Sequence, residues 1–545
     1  MLILAWFAAS AGWRELALPD EGRYVGVAWE MMRSGDWATP TLNGLPYFHK
    51  PPLFYWLTAT SMSLFGVSEW SARLASLLAA TGGTVALWAF LRRWTSAVHA
   101  RAALVACLAY PLWYGGAQYA NLDMLVAGCI TASILLFAHT VHSLESGGAW
   151  RLALAGAWTG AALGVLAKGL IGAVLPALAL IAWLLATGRT RMIARLMWWP
   201  GFVLFALIAG PWFVAMQWRH DGFLDYFFRV QHLQRFAAGG FNNVQGLWFF
   251  PALLLLASLP WLVFARWTLR VPRVRKAGAP RRSREHDIVV LMLCWLAAVV
   301  GFFSIPQSKL IGYVLPAVPP LASLLASAFI ATLQRRKNEG PPGPPAGSSR
   351  RLVRPTVLWH TSAALAIVLT LGTIIFIALE PRKSTRRLAE ALVAHAHDQG
   401  RPVAPVFMLG RYAFDFPLHA RLRDPVTIVD AWGDPTIELH DNWRRELADA
   451  ARFAPPTSAA TLVPSGALPA ALCAVGRAWL IGAPDAVRQW PMLAHARALP
   501  ATPDTTVAWE VDSATPAIAT ALECPGRAAP NQGFGKPVPF TGAMR

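Results

Sequence analysis

Charge is what this sequence lacks most. Asp, Glu, Lys and Arg make up only 14% of its 545 residues, against 55% hydrophobic residues. That little polar side chain cannot cover that much apolar surface, which excludes an ordinary soluble protein and leaves an integral membrane protein. Acids are the scarcer sign, 29 against 48 basic residues, for a net charge of +19. In a membrane chain such an excess reads as basic cytoplasmic loops, and no nucleic-acid partner is expected. Cysteine is also rare, with five residues and neither a CxxC nor an HExxH pattern. Cys107, Cys129 and Cys294 fall in apolar segments and read as packing residues, whereas Cys473 and Cys524 lie in a polar region and could pair if it is exported. No internal repeat is visible, which counts against a secondary transporter or flippase. No Lys or Arg precedes the apolar run Met1–Trp13, a poor pattern for a signal peptide. It reads as a first spanning helix whose N-terminal flank lies upstream.

What the chain has is a long series of apolar segments, with 26 Trp and 41 Pro. A helix needs about 20 apolar residues to cross the roughly 30 Å hydrocarbon core. By that ruler spans are expected at Ser71–Leu91, Ala102–Ala117, Leu122–Val141, Leu152–Lys168, Ile171–Thr187, Trp198–Trp218, Leu247–Phe264, Ile288–Ile305, Ile311–Leu333 and Val357–Leu379. Phe54–Val67 reads as a helix along the interface. With the N-terminal segment the expected fold is a polytopic α-helical membrane protein of about 11–13 crossings. Arg92, Arg93 and Arg101, then Arg189, Arg191 and Arg195, then the basic loops after Phe264 and after Leu333, all fall on one side. The positive-inside rule assigns that side to the cytoplasm. The other side receives the loop 18–69, the turn Tyr119–Asp123, Lys168, the segment Arg219–Gly246, the turn Gln307–Tyr313 and everything after Leu379.

Residues 380–545 are a different material: polar, with β-like runs at Pro405–Leu409, Val426–Val429 and Ala478–Ile481 and helix-like segments at Arg386–His397 and Asn442–Ala451. The expected division is a membrane domain over 1–379 and a soluble exported α/β domain over 380–545, with a loosely ordered tail from Cys524.

The residues suited to chemistry collect on the exported face. Asp20 and Glu21 are adjacent acids at a lipid boundary, costly there unless used, and fit a general base or metal ligation. Lys50, Lys168, Lys309 and Arg235 are cations that could clamp a phosphate together with Tyr24, Tyr47 and Tyr313. Asp123 caps a span and could also bind a sugar hydroxyl. His49 and His232 are the candidates for a divalent metal; no other cofactor is expected.

At these residues the sequence becomes familiar. DEGRY, GDWATPTLNGLPYFHKPPLFYW, NLDM, AKG, QHLQRF and SKLIGYVLP, in that order, resemble the bacterial aminoarabinose transferases of the protein-mannosyltransferase-like superfamily, membrane glycosyltransferases of the GT-C class. The resemblance implies transfer of a sugar, 4-amino-4-deoxy-L-arabinose, from undecaprenyl phosphate on the periplasmic face of the bacterial inner membrane. The implied acceptor is a lipid A phosphate. The runner-up is a transferase acting on a protein or polysaccharide hydroxyl. It implies that Asp20 matches the catalytic acid, with Glu21 and Tyr24 beside it. Lys50, Lys168 and Arg235 match cations around the lipid phosphate, and Tyr47, Asp123 and Tyr313 match other lining residues. The family carries Glu where this chain has His49, which puts its metal site in doubt here.

Overall fold

The computed structural model describes residues 1–234, 243–264, 283–338, 354–379, 384–499 and 506–524. Hydrocarbon offers a backbone no hydrogen-bond partners, so the apolar segments satisfy their own N–H and C=O groups as helices. Among the described residues, six helical segments are long and apolar enough to span: Glu69–Trp94, Leu122–Glu145, Trp199–Arg219, Arg284–Ser304, Ile311–Arg335 and Pro355–Leu379. Most of the other expected crossings fall on shorter or broken helices, and proline is the commonest cause. Ala97–Ala109 stops before Pro111 and resumes as Pro111–Ala117, because the ring excludes the preceding residue from helical geometry. The expected span Leu247–Phe264 is a helix Phe249–Ala257 followed by a 3₁₀ turn Leu259–Phe264 around Pro260. The N-terminal segment is helical over Leu2–Ala8 and continues in turns, and the expected interface helix runs from Leu53 to Phe65.

Leu122–Glu145 is the central helix of this bundle, flanked by Glu69–Trp94 and Arg151–Lys168. Arg151–Lys168 meets Ile171–Ala186 backbone to backbone: a Cβ on Gly172 would fall 2.1 Å from the carbonyl carbon of Gly164. Such small-residue contacts let membrane helices associate closely. Trp199–Arg219 and Pro355–Leu379 are each only 28% buried and present apolar side chains such as Leu207 and Val368 outward, as peripheral helices do in lipid.

The first loop is built, not slack. Its helix Asp20–Ser34 ends at Gly35, whose φ of 72° suits the left-handed stop. A ribbon of β1 (Thr41–Leu42) and β2 (Leu45–Pro46) turns on Asn43 and Gly44, with φ of 55° and 73°. That is the positive-φ pair a two-residue hairpin needs. Glu30 accepts both turn N–H groups, at 2.6 Å from Asn43 and 3.0 Å from Gly44.

After residue 384 comes a six-stranded sheet of β3 (Val406–Leu409), β4 (Thr427–Asp430), β5 (Leu462–Pro464), β6 (Arg477–Gly482), β7 (Arg497–Ala498) and β8 (Val507–Asp512). The order is β5-β4-β3-β6-β8-β7; the first four are parallel, and β8 is antiparallel to β6 and β7. The β-like runs of the sequence coincide with β3, β4 and β6. All four side chains of β3 are buried, as expected for a parallel strand covered on both faces. This domain is seated on the first loop. The Asn43 amide donates to the Val426 carbonyl and accepts from the Val426 N–H, both at 2.9 Å. Arg386 donates to Glu69 at 2.6 Å.

Cys473 and Cys524 form a disulfide, with Cα atoms 5.6 Å apart and a sequence separation of 51. Closing a loop of that length stabilises the domain by about 4 kcal/mol in the chain-entropy treatment. Cys473→Ser is therefore expected to make the sheet domain markedly more sensitive to trypsin, and reductant should do the same to the wild type. Equal cleavage rates for all three preparations would show that the bond carries no stability.

Candidate functional site

The site begins with two neighbouring acids that the helix separates. Asp20 and Glu21 open the helix Asp20–Ser34, where the dipole favours negative charge. One residue is about 100° of helical rotation, so the two carboxylates leave in different directions. Glu21 is fully buried. It accepts from Arg73 Nε at 2.9 Å and Nη2 at 3.2 Å, from the N–H of Ala17 and of Ala120 at 2.8 Å each, and from Arg14. Arg73 also holds the carbonyls of Ala11, Arg14 and Glu15, and Arg14 donates to that of Gln118 at 2.7 Å. Burial alone would raise the Glu21 carboxyl; the Arg73 and Arg14 guanidiniums overcome it and hold it down at about 2. Asp20, by contrast, keeps 29% of its side chain exposed and has Arg23 Nη2 at 3.7 Å. Both residues were expected in chemistry; the structure places Glu21 in a saturated ion cluster and leaves Asp20 accessible.

Arg23 is the next hub. It donates to Glu446 of the sheet domain at 2.7 Å and lies over the rings of Phe414 and Tyr24 at 4.9 and 5.9 Å. Burial opposes its charge, but Glu446, the phenols of Tyr47 and Tyr24, and Asp20 raise its pKa well above the ordinary value. Tyr24, Tyr47 and Tyr55 gather around it, buried, and burial pushes the hydroxyls of Tyr24 and Tyr47 far up, so they serve as neutral hydrogen-bonding groups. Tyr119, in the turn that also receives Glu21, is raised too, by burial and then by Asp20 and Glu21.

His49 stacks flat on Tyr47, with ring centroids 4.7 Å apart, and its Nε2 lies 2.8 Å from the Tyr226 hydroxyl. Tyr226 belongs to the π-helix Asp225–Gln234. Its hydroxyl donates to Asp449 at 3.3 Å and accepts from Gln231 at 2.9 Å. Among the described residues no three His, Cys, Asp or Glu side chains are grouped to hold a metal. The residues around His49 make a hydrogen-bonded chain through Tyr226 to Asp449 and Gln231. The side chain of His232, the second metal candidate, lies outside the described residues, as does all of Arg235. Lys50 is half-buried directly after His49.

A third group lies where the central helix begins. Asp123 pairs with Lys168, whose ammonium also sits 4.3 Å from the centre of the Tyr313 ring. A Cβ on Gly312 would fall 2.1 Å from Asp123 Oδ2, so glycine is required for this approach. Two expected lining residues and one expected phosphate-binding cation, from distant segments, thus meet in one contact. Lys309 is buried elsewhere: its ammonium donates to the carbonyls of Gln245, at 2.9 Å, and Pro306, which clasps two loops together. Sequence reasoning did not single out Arg14, Arg73, Tyr226, Glu446 or Asp449. Arg73 had a signal, a lone cation inside the apolar run WSARLASLL; the last two had none, because their partners lie far away in the chain.

Removing one partner of a buried ion cluster leaves the others uncompensated, so Glu21→Gln is expected to cost roughly 3–5 kcal/mol and to lower the yield of folded protein. Asp20→Asn should fold normally, as thermal unfolding in detergent will show. The pH sign follows from the lowered pKa. The Glu21 contribution is complete above its ordinary value of 4.5 and is lost as pH falls towards about 2. The melting temperature of Glu21→Gln should fall less than that of the wild type across that window.

Comparison with known proteins bears on the whole arrangement. Residues 49–214 match the family described as dolichyl-phosphate-mannose-protein mannosyltransferase. The undecaprenyl phosphate-alpha-4-amino-4-deoxy-L-arabinose arabinosyl transferase of Aeromonas salmonicida is 32% identical over 343 residues, 62% of this chain and 60% of that protein. The protein of the same name from Erwinia tasmaniensis is 30% identical over 368 residues, 66% of this chain and 62% of that one. The matched region thus spans about three fifths of the length of these relatives. The crystal structure of ArnT from Cupriavidus metallidurans bound to undecaprenyl phosphate superposes with a TM-score of 0.76 at 24% identity, covering 93% of this chain and 96% of that one. The chain thus shares the fold of ArnT over nearly its whole length, and over a little less than two thirds of it is similar in sequence to the aminoarabinose transferases.

Proposed function

We propose that the protein is an integral-membrane glycosyltransferase that moves 4-amino-4-deoxy-L-arabinose from undecaprenyl phosphate to a lipid A phosphate at the periplasmic face of the inner membrane. One observation carries the reading. On the face of the bundle that holds the sheet domain, an accessible acid, Asp20, is set in a frame of buried ion pairs, and Asp123, Lys168 and Tyr313 meet nearby. The names of the relatives and the ligand of the ArnT crystal structure support the choice of sugar and carrier.

In this reading the donor head group lies in the site and its tail in the bilayer. An acceptor oxygen attacks the anomeric carbon, the bond from that carbon to the phosphate oxygen breaks, and undecaprenyl phosphate leaves with the electron pair. Lys50 and Lys168 stabilise the charge that develops on the leaving phosphate. Binding both lipids at one interface turns the encounter into an oriented one. A phosphate monoester acceptor, with a second pKa of about 6, is largely deprotonated at neutral pH. Asp20 then has no proton to remove; it orients the acceptor and supports positive charge on the sugar ring. A protein or polysaccharide hydroxyl as acceptor would instead need Asp20 as a base. Lys168 lies against Asp123 in this structure, so its ammonium would exchange that partner for, or share it with, the donor phosphate.

Asp20→Asn and Lys50→Ala, each produced in a bacterium lacking its own aminoarabinose transferase, test the assignment by mass spectrometry of lipid A. The wild type should add a pentosamine mass, and both variants, present at normal levels, should reduce it by roughly 100-fold or more, the scale of a lost charge-stabilising group. Unmodified lipid A in the wild-type strain would overturn the acceptor. Active variants would overturn the site.

A further inference from the structure

One helix of the sheet domain reaches into the site. Trp443–Ala451 is capped by Asn442, whose side chain accepts from the Arg444 N–H at 2.9 Å. Glu446 and Asp449, three residues apart, lie on one face of it and are 5% and 6% exposed. Acids that are buried need partners, and both reach one outside their own domain. Glu446 takes Arg23. Asp449 takes Tyr226, on the π-helix, and has Arg452 at 3.6 Å and Arg445 at 4.0 Å beside it.

The Tyr226 oxygen stands at the centre of three contacts: Asp449 Oδ2 at 3.3 Å, Gln231 Nε2 at 2.9 Å and His49 Nε2 at 2.8 Å. A phenol has one proton to donate. An ionised carboxylate can only accept, so that proton goes to Asp449. The Gln231 amide nitrogen can only donate. His49 Nε2 must then carry a proton and donate to the phenol oxygen, which fixes the neutral ring as the Nε2–H tautomer. The ring is also clamped flat on Tyr47 at 4.7 Å, so both its plane and its tautomer are set. Lys50 follows directly in the chain.

We propose that Asp449 is a positioning residue of the transfer site, acting through Tyr226 to fix the ring of His49 and, with it, the place of Lys50. The proposal rests on the function given above and assigns the sheet domain a part in it: the domain supplies the far end of a hydrogen-bonded chain that ends in the first loop.

The test uses the full-length protein in nanodiscs with the lipid-linked sugar and lipid A. Asp449→Asn should lower kcat roughly 10–100-fold, the range for supporting partners of site residues, with its melting temperature close to that of the wild type. The donor KM should stay within about threefold, because the groups that bind the carrier are still present. Tyr226→Phe should cost about as much, and the double variant no more than either single one, since the two act in series. A kcat within twofold of the wild type, a loss explained by a smaller folded fraction, or additive losses in the double variant would overturn the proposal. A second readout needs no turnover. In ¹⁵N-histidine spectra the His49 signal, assigned by its absence in His49→Gln, should show a protonated Nε2, and Asp449→Asn and Tyr226→Phe should shift it towards mixed tautomers. Should the wild type transfer no sugar, the function fails; the positioning claim then stands or falls on this spectrum alone, and an identical His49 signal in all three proteins overturns it.

Discussion

The rest of the site hangs on the burial of Glu21 between Arg73 and Arg14. A carboxylate at zero exposure needs its full set of donors, and Glu21 draws them from four segments: the chain before the loop, the N-terminal part of Glu69–Trp94, the turn before the central helix, and its own helix start. The cluster therefore fixes where the first loop helix begins relative to the bundle. That helix start is what places Asp20. Replacing such a cluster by apolar side chains can be neutral for stability in other proteins, so its retention is better understood as specifying geometry than as adding strength. Here the geometry specified is the position of an accessible acid beside a lipid boundary.

The second constraint is that no single part of the chain holds a complete site. Arg23 is held by Glu446, more than 400 residues on, and His49 is linked through Tyr226 to Asp449. The Asn43 amide reads the backbone of Val426 through two hydrogen bonds, so the hairpin tip and the sheet domain share one register. Loop, bundle and sheet domain thus form one frame. The proposed transfer between two lipids would gain from such a frame, because it must orient two large, separately anchored molecules.

Much of this was legible in the sequence, and the limits have physical causes. Apolar runs gave the bundle, since membrane helices are written as length and hydropathy, but they overstated continuity where Pro111 and Pro260 interrupt a span. The polar residues that belong on one face could be sorted by counting spans against basic loops. Asp123, Lys168 and Tyr313 were each named, and the structure brings them into contact. What could not be read was which of two adjacent acids is used up in structure: Asp20 and Glu21 differ only in the direction that one residue of helical rotation sends them. Nor could Glu446 and Asp449 be found, because a three-residue spacing on an amphipathic helix is ordinary, and their meaning lies in partners contributed by the first loop and the π-helix.

The contrast between the two acids also bears on what chemistry Asp20 can do. Glu21 receives five hydrogen bonds, two of them from one guanidinium, and its pKa near 2 means that it holds no proton and gives up none at neutral pH. It cannot orient a substrate without abandoning the cluster. Asp20 has one guanidinium at 3.7 Å, beyond hydrogen-bond distance, and an exposed edge. Arg23 is itself held by Glu446, so it balances Asp20 without enclosing it. An acid beside a neighbouring cation, with one edge exposed, is suited to meet either a cationic sugar ring or the proton of a hydroxyl. In the proposed reaction the nature of the acceptor, rather than any change in the protein, would decide which of these roles Asp20 fills.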